Sequence, residues 1–186
     1  MKKKIILLGD SIRQIGYGKK VPALLGVDYT VWQPAENCRF AQYTLRGMWD
    51  WQKELDGADI VHWNNGLWDV CDLFGDGPFT AKEDYVKTML RVAGILQKKV
   101  KKVIFATTTP VHPTRPQNSN ARIIEYNRAL VPELEKLGVQ INDLHALVYR
   151  DIERYICADL IHLSEDGIDL CADAVVKAIK TAEAGM

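Results

Sequence analysis

Lys4-Ile5-Ile6-Leu7-Leu8-Gly9-Asp10-Ser11 joins a short apolar run to a polar turn. A run this brief, with no polar alternation, suits a strand buried on both faces of a parallel sheet. The pattern recurs along the chain. Tyr29–Trp32 (YTVW), Asp59–Trp63 (DIVHW), Lys102–Ala106 (KVIFA) and Val139–Ile141 are further β-branched runs bounded by Gly, Pro, Asn or Asp. Between them lie segments with helical periodicity, over about 17–25, 40–55, 80–99 and 119–137, and a last one over about 165–183. Ser119 or Asn120 can cap the fourth helix, and Gly138 can end it. Strands alternating with helices predict an α/β fold: a five-stranded parallel sheet with helices on both faces and right-handed crossovers. No Pro/Gly/Ser-rich linker divides the chain, so residues 1–186 are expected to form one domain.

The longest irregular stretches, about Gly66–Thr80 and Thr107–Ser119, both follow strands. They therefore belong to the carboxyl edge of the sheet, where open α/β folds bind ligands.

Composition narrows the partners. Lys plus Arg and Asp plus Glu each number 24, giving a formal charge of zero with His neutral. A nucleic-acid binder needs a basic footprint, so no nucleic-acid partner is expected. The N-terminus begins with lysines, but its apolar stretch, Ile5 to Leu8, falls short of the roughly 7–15 residues of a secretory signal. No run approaches the ~20 residues that span a bilayer. A cytoplasmic protein without a membrane partner is the expectation. Cys38, Cys71, Cys157 and Cys171 have neither CxxC spacing nor a close Cys/His cluster, which predicts reduced thiols and no metal.

Three segments carry chemistry. Ser11 sits where the first strand turns into a helix, a place that exposes a hydroxyl and offers helix N-terminal N–H groups to an anion. Gly-Asp-Ser is also ordinary turn chemistry. Asp159-Leu160-Ile161-His162 precedes the last helix. A serine nucleophile needs a base, and the base needs an orienting acceptor; Asp and His three apart on one loop can supply both. His62-Trp63-Asn64-Asn65-Gly66-Leu67-Trp68-Asp69 runs off the third strand. An Asn amide there can donate to an oxyanion, although Asn-Asn-Gly is also a strand-ending turn.

Together these segments resemble the SGNH (GDSL-like) hydrolase family, from Gly9 to about Ala172. Gly9-Asp10-Ser11 is similar to the family's first block, and Asp159-Leu160-Ile161-His162 to its DxxH block. The resemblance implies a three-layer α/β/α, flavodoxin-like fold and a serine esterase. Ser11 would be the nucleophile, His162 the general base and acid, and Asp159 the orienting carboxylate. The oxyanion donors would be the Ser11 and Cys38 N–H groups with the Asn64 amide; Asn65 is the alternative to Asn64. Two blocks depart from the family pattern. Cys38 stands where a glycine is usual, and Asn64-Asn65-Gly66-Leu67-Trp68-Asp69 replaces GxND. Asp10, Asn65 and Trp68 are the expected substrate contacts, with Trp68 placed to stack on a sugar.

No cofactor is implied. The expected substrate is a small ester, first an acetylated sugar, then a short-chain lipid or thioester. The competing reading is a flavodoxin-like module that binds an anion at Gly9-Asp10-Ser11 without catalysis. The oligomeric state is left open. Other candidates read as structural: His62 as a core histidine, His112 and His145 as loop residues, and Trp49 and Trp51 as packing on a helix. Arg39 and Arg115 read as surface charges that could reach substrate.

Overall fold

The computed structural model describes Lys2–Met186; Met1, part of the expected 1–186 domain, lies outside the described residues. The strands are β1 (Lys3–Leu8), β2 (Tyr29–Trp32), β3 (Ala58–Asn64), β4 (Val100–Ala106) and β5 (Gln140–Asn142). They form one parallel sheet in the order β2-β1-β3-β4-β5. Every apolar run read from the sequence is a strand. β3 is buried along its whole length, its polar Asp59, His62 and Asn64 included.

The helices are α1 (Val21–Leu25), α2 (Ala41–Asp50), α3 (Gln52–Leu55), α4 (Lys82–Leu96), α5 (Asn120–Lys136), α6 (Leu144–Tyr149), α7 (Ile152–Tyr155) and α8 (Glu165–Ala184). α2, α4 and α5 pack in series, while α8 packs on α1, α6 and α7, so helices cover both faces of the sheet. Among the described residues, no helix is long and apolar enough to cross a membrane.

Two helix expectations need correction, and one helical segment lies outside them. The helical path expected over about 17–25 starts earlier, with a π-helical turn at Ile12–Gly16 and a 3-10 turn at Tyr17–Lys19 before α1. The helix expected over about 40–55 breaks at Trp51, whose ring folds back on Gly47: a Cβ there would stand 2.4 Å from the indole. Trp51 is packed as expected, but Trp49 is 69% exposed. The segment after β5 forms α6 and α7, which apolar periodicity did not reveal. Each is started by an aspartate: Asp143 accepts from the Ala146 N–H, and Asp151 from the Arg154 N–H. Ser119 stands before α5 but makes no side-chain cap, and Asn120 spends its amide on Val111. Gly138 ends α5 with φ +76°, a left-handed conformation that glycine adopts without strain.

The strand order reverses between β1 and β3. In a doubly wound sheet that crevice, beyond the strands' carboxyl ends, is the ligand position. Ser11 follows β1 and Asn64 ends β3, so both stand there.

Candidate active site

Leaving β1, the chain turns sharply under constraints set by its neighbours. A Cβ at Gly9 would lie 2.0 Å from Asn64 Oδ1, so only glycine lets β3 approach this closely. The next carboxylate, Asp10, folds inward, where its Oδ1 accepts from the Ile12 N–H (3.0 Å) and from Asn64 Nδ2 (2.8 Å). Burial pushes the Asp10 carboxyl up, against the pull of the Asn64 and Ile12 bonds and the Arg13 charge. Ser11 N–H has no protein acceptor among the described residues, as the first donors of a helical turn do not.

Arg13 locks this turn to the segment after β2. Its guanidinium is buried and donates to the carbonyls of Pro34 (2.8 Å), Glu36 (2.7 Å) and Gly9 (3.1 Å). The Gly9 carbonyl also accepts the Cys38 N–H at 3.0 Å, and Cys38 Sγ accepts the Gly9 N–H at 3.2 Å. The sequence does not announce Arg13, because an arginine in a turn reads as a surface charge.

The loop before α8 is held by its own backbone. Ile156 and Leu163 form an antiparallel bridge, Cys157 N–H donates to the His162 carbonyl (2.8 Å), and Leu160 N–H donates to that of Cys157 (2.9 Å). The tight path puts Leu160 at φ +73°, and its carbonyl is held by the His112 N–H at 2.9 Å. Asp159 Oδ1 accepts the N–H groups of Ile161 (3.0 Å) and His162 (2.9 Å). Its Oδ2 lies 2.5 Å from His162 Nδ1. Burial would raise the Asp159 carboxyl, but the bonds from His162 and Ile161 outweigh it and hold the group well below its ordinary range. His162 Nε2 stands 2.8 Å from Ser11 Oγ. With Nδ1–H directed at the carboxylate, Nε2 is the free acceptor for the serine hydroxyl.

The structure thus brings Ser11, His162 and Asp159 into one hydrogen-bonded chain across 151 residues of sequence. Ser11 and His162 line a cavity of about 470 Å³ with Asn37, Trp68 and Asn118 among its walls. Trp68 is 40% exposed there. The other expected residues fare differently. Cys38 cannot serve as an oxyanion donor in this arrangement, because its N–H is spent on Gly9. Of its segment, Asn37 is the residue that lines the cavity. Asp10 and Asn65 are buried, as Asn64 is, and none of the three is among the residues that line the cavity. Asn65 is consumed by Thr44, the Trp63 indole and the Arg39 carbonyl. Asn64, not Asn65, adjoins the Ser11 turn.

His62 lies in the core, where burial pushes its imidazole down to about 3, and its Nε2 meets the Asn142 amide at 3.1 Å. His112 is tied to Thr114 and Glu153, away from Ser11. His145 stacks on Tyr149 beyond β5.

No family model matches the chain. A curated relative, the GDSL esterase/lipase CPRD49 of Arabidopsis thaliana, is 26% identical over an alignment that covers 97% of this chain and 80% of the relative. The fold is similar to that of the lipase/acylhydrolase from Enterococcus faecalis, with a TM-score of 0.78 at 20% identity over 96% of each chain. It is also similar to Axe2, an acetylxylan esterase from Geobacillus stearothermophilus, with a TM-score of 0.75 at 18% identity over 95% of this chain and 94% of that one. The chain is thus similar in sequence to a GDSL esterase/lipase, and it shares its three-layer α/β/α fold with a lipase/acylhydrolase and an acetylxylan esterase, the fold of the SGNH hydrolases.

Proposed function

We propose that this chain is a serine esterase that removes a small acyl group, acetyl first, from a carbohydrate alcohol. The observation that carries the reading is the Asp159–His162–Ser11 chain, with His162 Nε2 at 2.8 Å from Ser11 Oγ. Ser11 Oγ attacks the ester carbonyl as its proton passes to His162. Asp159 holds the ring in the tautomer that can receive it and stabilises the imidazolium that forms. The carbonyl oxygen gains negative charge beside the Ser11 N–H, which has no other acceptor. Asn64 supplies a second donor: one amide hydrogen goes to Asp10, and the other has no protein acceptor among the described residues. His162 then protonates the leaving alcohol. Water attacks the acyl-enzyme by the reverse sequence, releasing the acid and restoring Ser11.

The sugar preference rests on Trp68, an indole open to the cavity beside Ser11, and on the acetylxylan esterase among the similar structures. The Asp159–His162 pair argues against the anion-module reading, because a module that only binds an anion has no need of a base held on the Ser11 hydroxyl.

The test compares p-nitrophenyl acetate hydrolysis by wild type and Ser11→Ala, with fluorophosphonate labelling mapped by mass spectrometry. Turnover and label should both require Ser11; equal rates from the two proteins would overturn the mechanism. A panel of acetylated oligosaccharides and longer acyl esters then tests the substrate, and acetyl sugars should give the highest kcat/KM.

A further inference from the structure

Arg115 lies on the loop after β4 and lines the cavity that contains Ser11 and His162. Its charge has no partner in the protein: among the described residues it forms no ion pair. Its one acceptor is the Asp159 carbonyl, 3.3 Å from Nη1, and its Nε is buried without any. A guanidinium stays protonated, and donors withdrawn from water without partners are costly.

The neighbouring carboxylates are already engaged. Asp159 holds His162, Glu153 meets His112 Nε2 at 2.9 Å, and Asp72 faces Arg122 at 3.8 Å while accepting the Gly75 N–H. Among the described residues no Asp or Glu lines the cavity, where Gln117 and Asn118 continue the polar wall from Arg115. The active cavity therefore carries an arginine charge that the protein leaves uncompensated.

We propose that Arg115 forms an anion subsite for the alcohol half of the substrate, which carries a carboxylate or a phosphate. The assignment to the alcohol half rests on the esterase reading above. Arg115 reaches the Asp159 carbonyl and so stands on the His162 side of Ser11, and His162 is the group that protonates the departing alcohol. The oxyanion donors, Ser11 N–H and Asn64, belong to the β1 and β3 ends. An anionic oxygen on the alcohol would meet the unpaired N–H donors of Arg115, a charge-assisted contact.

The experiment measures kcat/KM for phenyl acetate, 3-acetoxybenzoate and 3-acetoxyphenyl phosphate with wild type, Arg115→Gln, Arg115→Lys and the remote control Arg46→Gln. The quantity read is the ratio of anionic to neutral ester, and comparing that ratio between proteins cancels the esters' different leaving groups. The ratio should fall about tenfold in Arg115→Gln, the size of one charged hydrogen bond. It should fall less in Arg115→Lys and stay unchanged in Arg46→Gln. The larger fall, for carboxylate or for phosphate, identifies the anion. An unchanged ratio in Arg115→Gln for both anionic esters overturns the subsite.

Calorimetry separates this failure from failure of the esterase reading. 3-Hydroxybenzoate and 3-hydroxyphenyl phosphate are titrated into Ser11→Ala and into the Ser11→Ala/Arg115→Gln double variant. Binding of either anion that disappears in the double variant supports the subsite even if no ester is hydrolysed. Equal binding, or none to either protein, overturns it.

Discussion

The Ser11 turn is built into the core, whereas the Asp159–His162 loop lies over the surface. On the turn, Gly9, Asp10 and Arg13 make contacts that reach β3 and the segment after β2. On the loop, the side-chain bonds that set Asp159 against His162 connect residues a few positions apart, and the loop after β4 adds two ties, His112 N–H to the Leu160 carbonyl and Arg115 to the Asp159 carbonyl. The nucleophile is thus positioned by tertiary packing, and the base by local hydrogen bonding. Damage to the loop should cost activity while sparing the fold. Damage to the turn should cost both.

The largest effect is expected from the loop. His162→Ala removes the acceptor of the Ser11 proton, so kcat/KM for an acetyl ester should fall by about 10³-fold or more. The thermal midpoint should move little, because the backbone bonds of the loop remain. A large loss of stability would break the contrast. Asp159→Asn keeps the bonds that Oδ1 receives but can present an amide N–H to His162 Nδ1, which favours the wrong tautomer. A fall of about 10²–10⁴-fold in kcat is expected, again with the fold retained by circular dichroism.

On the turn, Arg13→Met replaces a buried guanidinium with an apolar chain of similar reach. The carbonyls of Pro34, Glu36 and Gly9 lose their donors, although Gly9 keeps the Cys38 N–H. A stability loss of about 3 kcal/mol follows from buried acceptors left unmet, equivalent to roughly 6–12 °C in the thermal midpoint. Activity measured well below that midpoint should also fall, since the turn carrying Ser11 is no longer tied to the chain after β2. A variant with normal stability would show that Arg13 is not the tie.

The same division governs what could be read in advance. The sheet was legible because buried parallel strands are short apolar runs, and each of the five stands out between Gly, Pro, Asn or Asp. The Ser11 and Asp159/His162 segments were legible through residue type and spacing, the loop especially, because its geometry is local. The parts that depend on long-range contact were not. The Cys38 N–H is free by sequence, but in the fold the Gly9 carbonyl stands opposite it. Asn64 and Asn65 are adjacent and chemically identical, and only the closeness of β1 to β3 separates them. Nothing in the sequence marks Arg13, and Arg115 reads as a surface charge that could reach substrate, yet one is buried under carbonyls and the other lines the cavity. The helix break at Trp51 depends on a side chain folding back over Gly47, which periodicity does not encode.

The smallest expected effect concerns pH, and it sharpens the contrast between interior and surface. Beneath the site, His62 and Asp69 are buried, and burial moves them in opposite directions. It drives the His62 imidazole down to about 3 and the Asp69 carboxyl up to about 7, the latter despite bonds from the Ala41 N–H and the Thr80 side chain. Between pH 7 and pH 5 the unfolded chain takes up a proton at His62 that the folded chain refuses, so this residue makes stability fall as pH falls. Over the same range the folded chain takes up a proton at Asp69 that the unfolded chain refuses, so Asp69 makes stability rise as pH falls. Each contribution amounts to about 2 kcal/mol, and they oppose each other. Asp159, on the surface loop, is held low and loses its contribution only below the ordinary carboxylate range, so it is silent here. His62→Leu should therefore gain about 2 kcal/mol relative to wild type on going from pH 7 to pH 5, and Asp69→Asn should lose about as much. Urea unfolding at the two pH values reads both differences. Parallel pH dependence in wild type and both variants would mean that neither buried group is displaced from its solution behaviour, and that the interior of the site is wetter than its packing implies.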